Sequence, residues 1–125
     1  SVMSCEGSSC NICGGSLISE THILTAAHCT DGLNSFRIGL GSNALRAPAV
    51  QLTSTTKHQH PLYDADTITY DISIVVLPRK VSESNGIKII SLAKSNIGNI
   101  ENRAAIISGY GKTDGNKCSN FYCCI

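Results

Sequence analysis

Apolar residues recur at every second position in short runs along this chain, and that period decides what it can fold into. In "FRIGL" (residues 36–40) Phe36, Ile38 and Leu40 share one face, and in "AVQLTST" (49–55) Val50 and Leu52 do the same. "DISIVVL" (71–77) alternates and then turns continuously apolar, as a strand does on entering a core. "ENRAAIISGYG" (101–111) reads as a further strand closed by glycines. Turn-forming clusters such as Thr30-Asp31-Gly32, Gly41-Ser42-Asn43 and Ser84-Asn85-Gly86 separate the runs. Only "LTAAHC" (24–29) is helix-prone, and it is long enough for a single turn. Short strands at this spacing predict an all-β barrel or sandwich.

A chain of 125 residues, 42% hydrophobic and 15% charged, can bury a real core in one domain, and disorder is excluded. The net charge is +1 with no block of like charge, so neither nucleic acid nor an anionic membrane surface is an expected partner. The apolar runs are too short to cross a bilayer. Seven cysteines, Cys5, Cys10, Cys13, Cys29, Cys118, Cys123 and Cys124, favour disulfides and an oxidising compartment, so the expected location is secreted and extracellular. From Lys112 onward "KTDGNKCSNFYCCI" loses all periodicity and reads as a stapled loop, not another strand pair. His58 and His60 lie two apart, and neither they nor the tail cysteines follow the spacing of a closed zinc site. No acidic residue falls between Asp31 and Asp64, which leaves a hard cation without carboxylates there. No metal and no cofactor is expected.

Three stretches carry the chemistry: "CGGSLISETHILTAAHC" (13–29), "HPLYDADTITYDISIVVL" (60–77) and "ISGYGKTDG" (107–115). In this order and at about this spacing they resemble the trypsin/chymotrypsin-like serine proteases, closest to the secreted invertebrate type. The resemblance implies that His28 holds the place of the catalytic histidine and Asp71 that of the aspartate that orients it. It implies a Cys13–Cys29 disulfide flanking that histidine, worth about 3 kcal/mol in the chain-entropy description. Tyr110 stands where the family more often has tryptophan. The implied fold is a single six-stranded antiparallel Greek-key β-barrel, the first half of a chymotrypsin-like double barrel. It would occupy residues 1–92, with strands near 1–4, 12–19, 23–26, 36–40, 50–58 and 72–77. Residues 93–125 would then supply a linker, the first strand of a second barrel and the cysteine-rich tail.

The departures from the family bear on function. The family's nucleophile and oxyanion hole come from a Gly-Asp-Ser-Gly-Gly segment, and this chain has no Gly-x-Ser-x-Gly anywhere. The chain opens at "SVMS", without the Ile-Val-Gly-Gly-like terminus of the activated enzymes. It is therefore expected to be a truncated, non-catalytic homologue that acts as a binding or regulatory module. The alternative is one piece of an active endopeptidase whose serine-bearing half is supplied separately or is absent from this chain. The face that would meet a second barrel carries His28 and Asp71, and it is expected to be covered by the tail, a second copy or another protein. His60, beside Pro61, reads as structural, and His22 and His58 as exposed. Cys5 and Cys10 flank "EGSS" as a hairpin would, which makes a 5–10 bond one pairing. A bond from tail to hairpin, or a disulfide-linked dimer, are the others.

Overall fold

The computed structural model describes residues 1–6, 9–84, 86–94, 96, 98–104, 108–109, 112–114 and 117–118, with the side chains of 6, 9, 112–114 and 117–118 excepted. Eight strands precede residue 80: β1 (Val2–Glu6), β2 (Ser9–Cys13), β3 (Ser16–Ser19), β4 (His22–Thr25), β5 (Phe36–Leu40), β6 (Val50–Ser54), β7 (Thr56–Gln59) and β8 (Ser73–Val76). They form two four-stranded antiparallel sheets, ordered β2-β1-β5-β6 and β3-β4-β8-β7. The expected six strands in one barrel are thus eight strands in two sheets, and the cause is local. Residues 12–19 break at Gly14–Gly15, and residues 50–58 break at Thr55, so each run gives its first half to one sheet and its second half to the other. Strands that switch sheets by bending in this way form the corners between two packed sheets.

The first corner needs a glycine. A Cβ on Gly15 would lie 2.9 Å from Ile23 Cγ2 and 3.2 Å from the Leu24 carbonyl oxygen, so a side chain would push β3 off β4. Thr25 Oγ1 also donates to the Gly14 carbonyl at 2.8 Å, holding the bend against the end of β4. At the second corner the Thr56 N–H donates to Ser54 Oγ at 3.1 Å, and Ser54 Oγ donates to the Val76 carbonyl. One hydroxyl thereby ties the end of the first sheet to β8 of the second.

Both sheets feed one core. Val2, Phe36, Ile38 and Leu52 enter it from the first sheet, Leu17, Ile23 and Val75 from the second, and Leu77, Val81 and Ile87 from the chain after β8. The alternation of β5 is as expected, with Phe36 and Ile38 fully buried and Leu40 packed at the margin. In β8 the alternation is inverted from a hydrophobicity reading. The strand begins at Ser73, not Ile72, and Ser73 is buried while Ile72 is exposed. Thr30, also fully buried, explains the inversion: its Oγ1 donates to Ser73 Oγ at 2.9 Å, so the small hydroxyl is chosen over the aliphatic side chain.

The tail departs from expectation as well. Backbone pairing joins β9 (Lys112–Asp114) to β10 (Lys117–Cys118), with Lys117 opposite Asp114, so a strand pair stands where a stapled loop was expected. Five residues of the expected strand over 101–111 lie outside the described residues, and its described parts, 101–104 and 108–109, are turn and irregular chain.

Candidate active site

Sheet register brings His28 and Asp71 together. Strands β4 and β8 pair antiparallel with Thr25 opposite Ser73. Carried two residues past the end of β4, that register sets position 27 beside position 71, with His28 next in line. There the chain turns once. The N–H groups of Thr30 and Asp31 both donate to the Ala27 carbonyl at 2.9 Å, so the turn runs over residues 27–31, whereas Leu24 and Thr25 of the helix-prone "LTAAHC" lie in β4. The Cys13–Cys29 disulfide, with Cα atoms 6.2 Å apart, fastens this turn to the end of β2.

Asp71 uses both carboxylate oxygens on His28. The His28 backbone N–H donates to Oδ1 at 2.8 Å, and Nδ1 lies 2.7 Å from Oδ2. The imidazole is 53% exposed and the carboxylate 21%, so the ring is open to a reactant while its anchor is shielded. Nε2 has no partner among the described residues. Tyr63 completes the surroundings: partial burial and the charges of Asp71, Asp31 and Asp64 push its phenol above the usual value, keeping it a neutral hydroxyl.

The loop that delivers Asp71 is closed at its base, where the His60 N–H donates to the Ile72 carbonyl at 3.0 Å. Inside it the N–H groups of Asp66 and Thr67 donate to Asp64 Oδ1 at 2.8 and 3.3 Å, and the rings of His60 and Tyr70 stack at 4.9 Å. Ile68 and Tyr70 both sit at positive φ, 52° and 53°. For a β-branched residue that conformation is a true outlier, and such strain concentrates at functional sites. Leu62, Ile68, Tyr70 and Ile72 all project into solvent from this loop.

Other sequence candidates fall elsewhere. His60 is the structural stacking partner just described. His58 is exposed, but His22 is half-buried, with its Nδ1 2.9 Å from the hydroxyl oxygens of both Ser19 and Thr21. Cys5 and Cys10 face one another across β1 and β2 and are joined in a disulfide. The side chain of Cys118 and all of Cys123, Cys124 and Tyr110 lie outside the described residues. Donor atoms of Cys13, His28 and Cys29 lie within 4.8 Å of one another, but both sulfurs are consumed by the disulfide, which leaves a single nitrogen for any metal. Sequence reasoning missed Thr30, Ser73 and Tyr63, since nothing in a lone hydroxyl residue's neighbours marks it as buried or as facing a carboxylate.

Asp71 titrates below its ordinary value of 3.8. Burial opposes that shift, and the His28 N–H, the His28 ring and its charge, and the Ala27 N–H outweigh it. A depressed carboxyl contributes stability that is fully present above the unfolded pKa and is lost as pH falls through the folded one. The Asp71→Asn variant should therefore lose about 1 kcal/mol at neutral pH and show a shallower decline below about pH 4. Urea midpoints measured from acid to neutral pH check this; parallel curves for the two proteins would assign the acid limb to other groups.

The sequence matches the family described as Trypsin over residues 2–122. A chymotrypsin of Phaedon cochleariae is 36% identical over 108 residues, covering 82% of this chain and 39% of its own length. Trypsin delta of Drosophila erecta is 36% identical over 111 residues, covering 87% of this chain and 43% of its own. The solved structure of HL collagenase superposes with a TM-score of 0.62 at 33% identity, over 66% of this chain and 35% of that one. The chain spans about two fifths of the length of the curated relatives it matches.

Proposed function

This chain belongs to the trypsin family, and from that premise we propose that its residues carry the acid–base half of a serine-peptidase site while acting, by themselves, through binding. The observation that carries this reading is the His28–Asp71 pair, gripped through two hydrogen bonds with Nε2 left unpartnered among the described residues. An ionised carboxylate only accepts, so its contact fixes the imidazole proton on Nδ1 and leaves the Nε2 lone pair as the base. Such a base needs a hydroxyl to deprotonate and two backbone N–H groups to receive the oxyanion. The family draws both from a glycine-framed serine, and no Gly-x-Ser-x-Gly occurs within these 125 residues. With no nucleophile beside it among the described residues, His28 becomes part of a contact face. The exposed side chains of Leu62, Ile68, Tyr70 and Ile72 support that role, because clustered apolar surface tends to mark protein contacts. The partner is a protein or a second copy of this chain. Two disulfides and secreted-type relatives agree with an extracellular setting.

The undistorted pair also favours a second reading, in which a serine-bearing half completes an active endopeptidase. Peptide-amide hydrolysis by the chain purified from its native source together with the proteins that stay bound to it, with a serine-directed phosphonate as probe, separates the two. The expected result is no turnover above background and no phosphonate adduct in the intact mass. Turnover that the phosphonate abolishes would replace the binding reading with the catalytic one.

A further inference from the structure

A cavity of about 200 Å³ opens on the outer face of the first sheet, and neither His28 nor Asp71 is among its lining residues. Arg37 and Arg46 line it, together with Ser1, Met3, Leu45, Pro48 and Gln51 around a floor at Gly39. The cavity exists because position 39 has no side chain: a Cβ there would lie 2.9 Å from Ser1 Oγ and 3.2 Å from Pro48 Cβ, in the space itself. The register of the sheet explains the rest of the lining. Arg37 pairs with Met3 on β1, Met3 with Ile12 on β2, and Gly39 with Gln51 on β6, so these positions share the outward face. Arg46 and Pro48 come over the top from the turn between β5 and β6.

Charge is the telling feature. Neither guanidinium has an ion pair or hydrogen bond among the described residues. Among the described residues, no acidic side chain lines the cavity. Arginine presents a planar fork of donors that matches a carboxylate in two-point contact, and two such forks at one cleft select an anion. The remaining walls select its kind. Met3, Leu45 and Pro48 are apolar, and the exposed side chain of Ile12 extends the apolar rim beside Met3. A polysulfated glycan gains nothing from such walls, whereas a peptide with aliphatic residues next to its carboxylates uses both.

We propose that the Arg37/Arg46 cleft binds an acidic peptide segment of a partner protein, its carboxylates on the two arginines and an adjacent apolar side chain against Met3 and Leu45. This site is separate from the contact face around His28, and its test does not depend on that reading.

The test titrates the full chain with a blocked peptide of repeated Glu-Glu-Leu units, followed by fluorescence anisotropy or calorimetry. Peptides with Lys or Gln in place of Glu, and a heparin-derived oligosaccharide, serve as comparisons. The expected result is saturable binding of the Glu peptide alone, weakening as salt rises from about 0.05 to 0.5 M. The Arg37→Gln/Arg46→Gln variant should bind about tenfold more weakly, and Arg37→Glu/Arg46→Glu should exchange the preference to the Lys peptide. Both arginines are exposed, so these variants keep the fold, which unchanged thermal unfolding verifies. Equal binding of the Glu peptide by wild type and the Gln variant, absence of saturable binding, or tighter binding of the oligosaccharide would each overturn the proposal.

Discussion

Phe36→Ala should cost about 3–5 kcal/mol of folding free energy, the range for emptying a fully buried aromatic site. Phe36 is wholly inaccessible to solvent and lies at the start of β5, between Ser4 on β1 and Ser54 on β6. Both neighbours are small, so nothing alongside can swing into the vacated volume, and backbone ladders on either side stop the strands from closing. The loss does not end at the ring. Lys57 Nζ sits 6.0 Å from the Phe36 centroid and donates to the Thr30 carbonyl, so the aromatic face helps steer a cation that braces the turn after His28. A domain of this kind holds only about 5–15 kcal/mol in total, so the variant should lie near its folding threshold. Urea denaturation would show a large fall in midpoint at unchanged slope. A shift below about 1 kcal/mol would mean that the core recloses around position 36 and that the two sheets are not rigidly fixed by their corners.

Core and dyad differ in how they could be read in advance. His28 and Asp71 were legible because their chemistry comes with flanking residues, "TAAHC" and "DIS", that tolerate little rearrangement. Phe36 and Ile38 were legible because period two is visible whenever the inward residues are large and the outward ones are not. The division of residues 50–58 was hidden for the opposite reason. Leu52 and Ser54 point inward, yet Thr56, which strict alternation would bury, is exposed, so the inward parity changes at the corner. In "TSTTKHQH" every residue is polar, and a parity change among polar residues leaves no trace in hydrophobicity. The burial of Ser73 was hidden likewise. Its partner Thr30 stands 43 positions away, and only the β4–β8 register brings the two hydroxyls into contact.

Replacing both Cys13 and Cys29 by alanine should cost about 3 kcal/mol, because the bond closes a loop of sequence separation 16 whose entropy the unfolded chain would regain. The pair Cys5 and Cys10 gives an internal comparison. It bridges directly opposed residues of β1 and β2 at a separation of 5, so the same reasoning predicts a loss smaller by about 1 kcal/mol. Only the first bond should also touch the site. Cys29 is buried next to His28, and through it the turn that points the His28 N–H at Asp71 Oδ1 is fixed to β2. Freed from that anchor, the turn can sample conformations in which Asp71 loses one or both of its hydrogen bonds from His28. The carboxyl of Asp71, held below 3.8 by those bonds, should then titrate closer to 3.8, and carbon NMR of its side chain reads this directly. Stability lost with the Asp71 titration unmoved would show that the disulfide acts on the unfolded chain alone. Stability lost together with a rise at Asp71 assigns the bond a second task, that of holding an imidazole and a carboxylate in register where two strands have already ended.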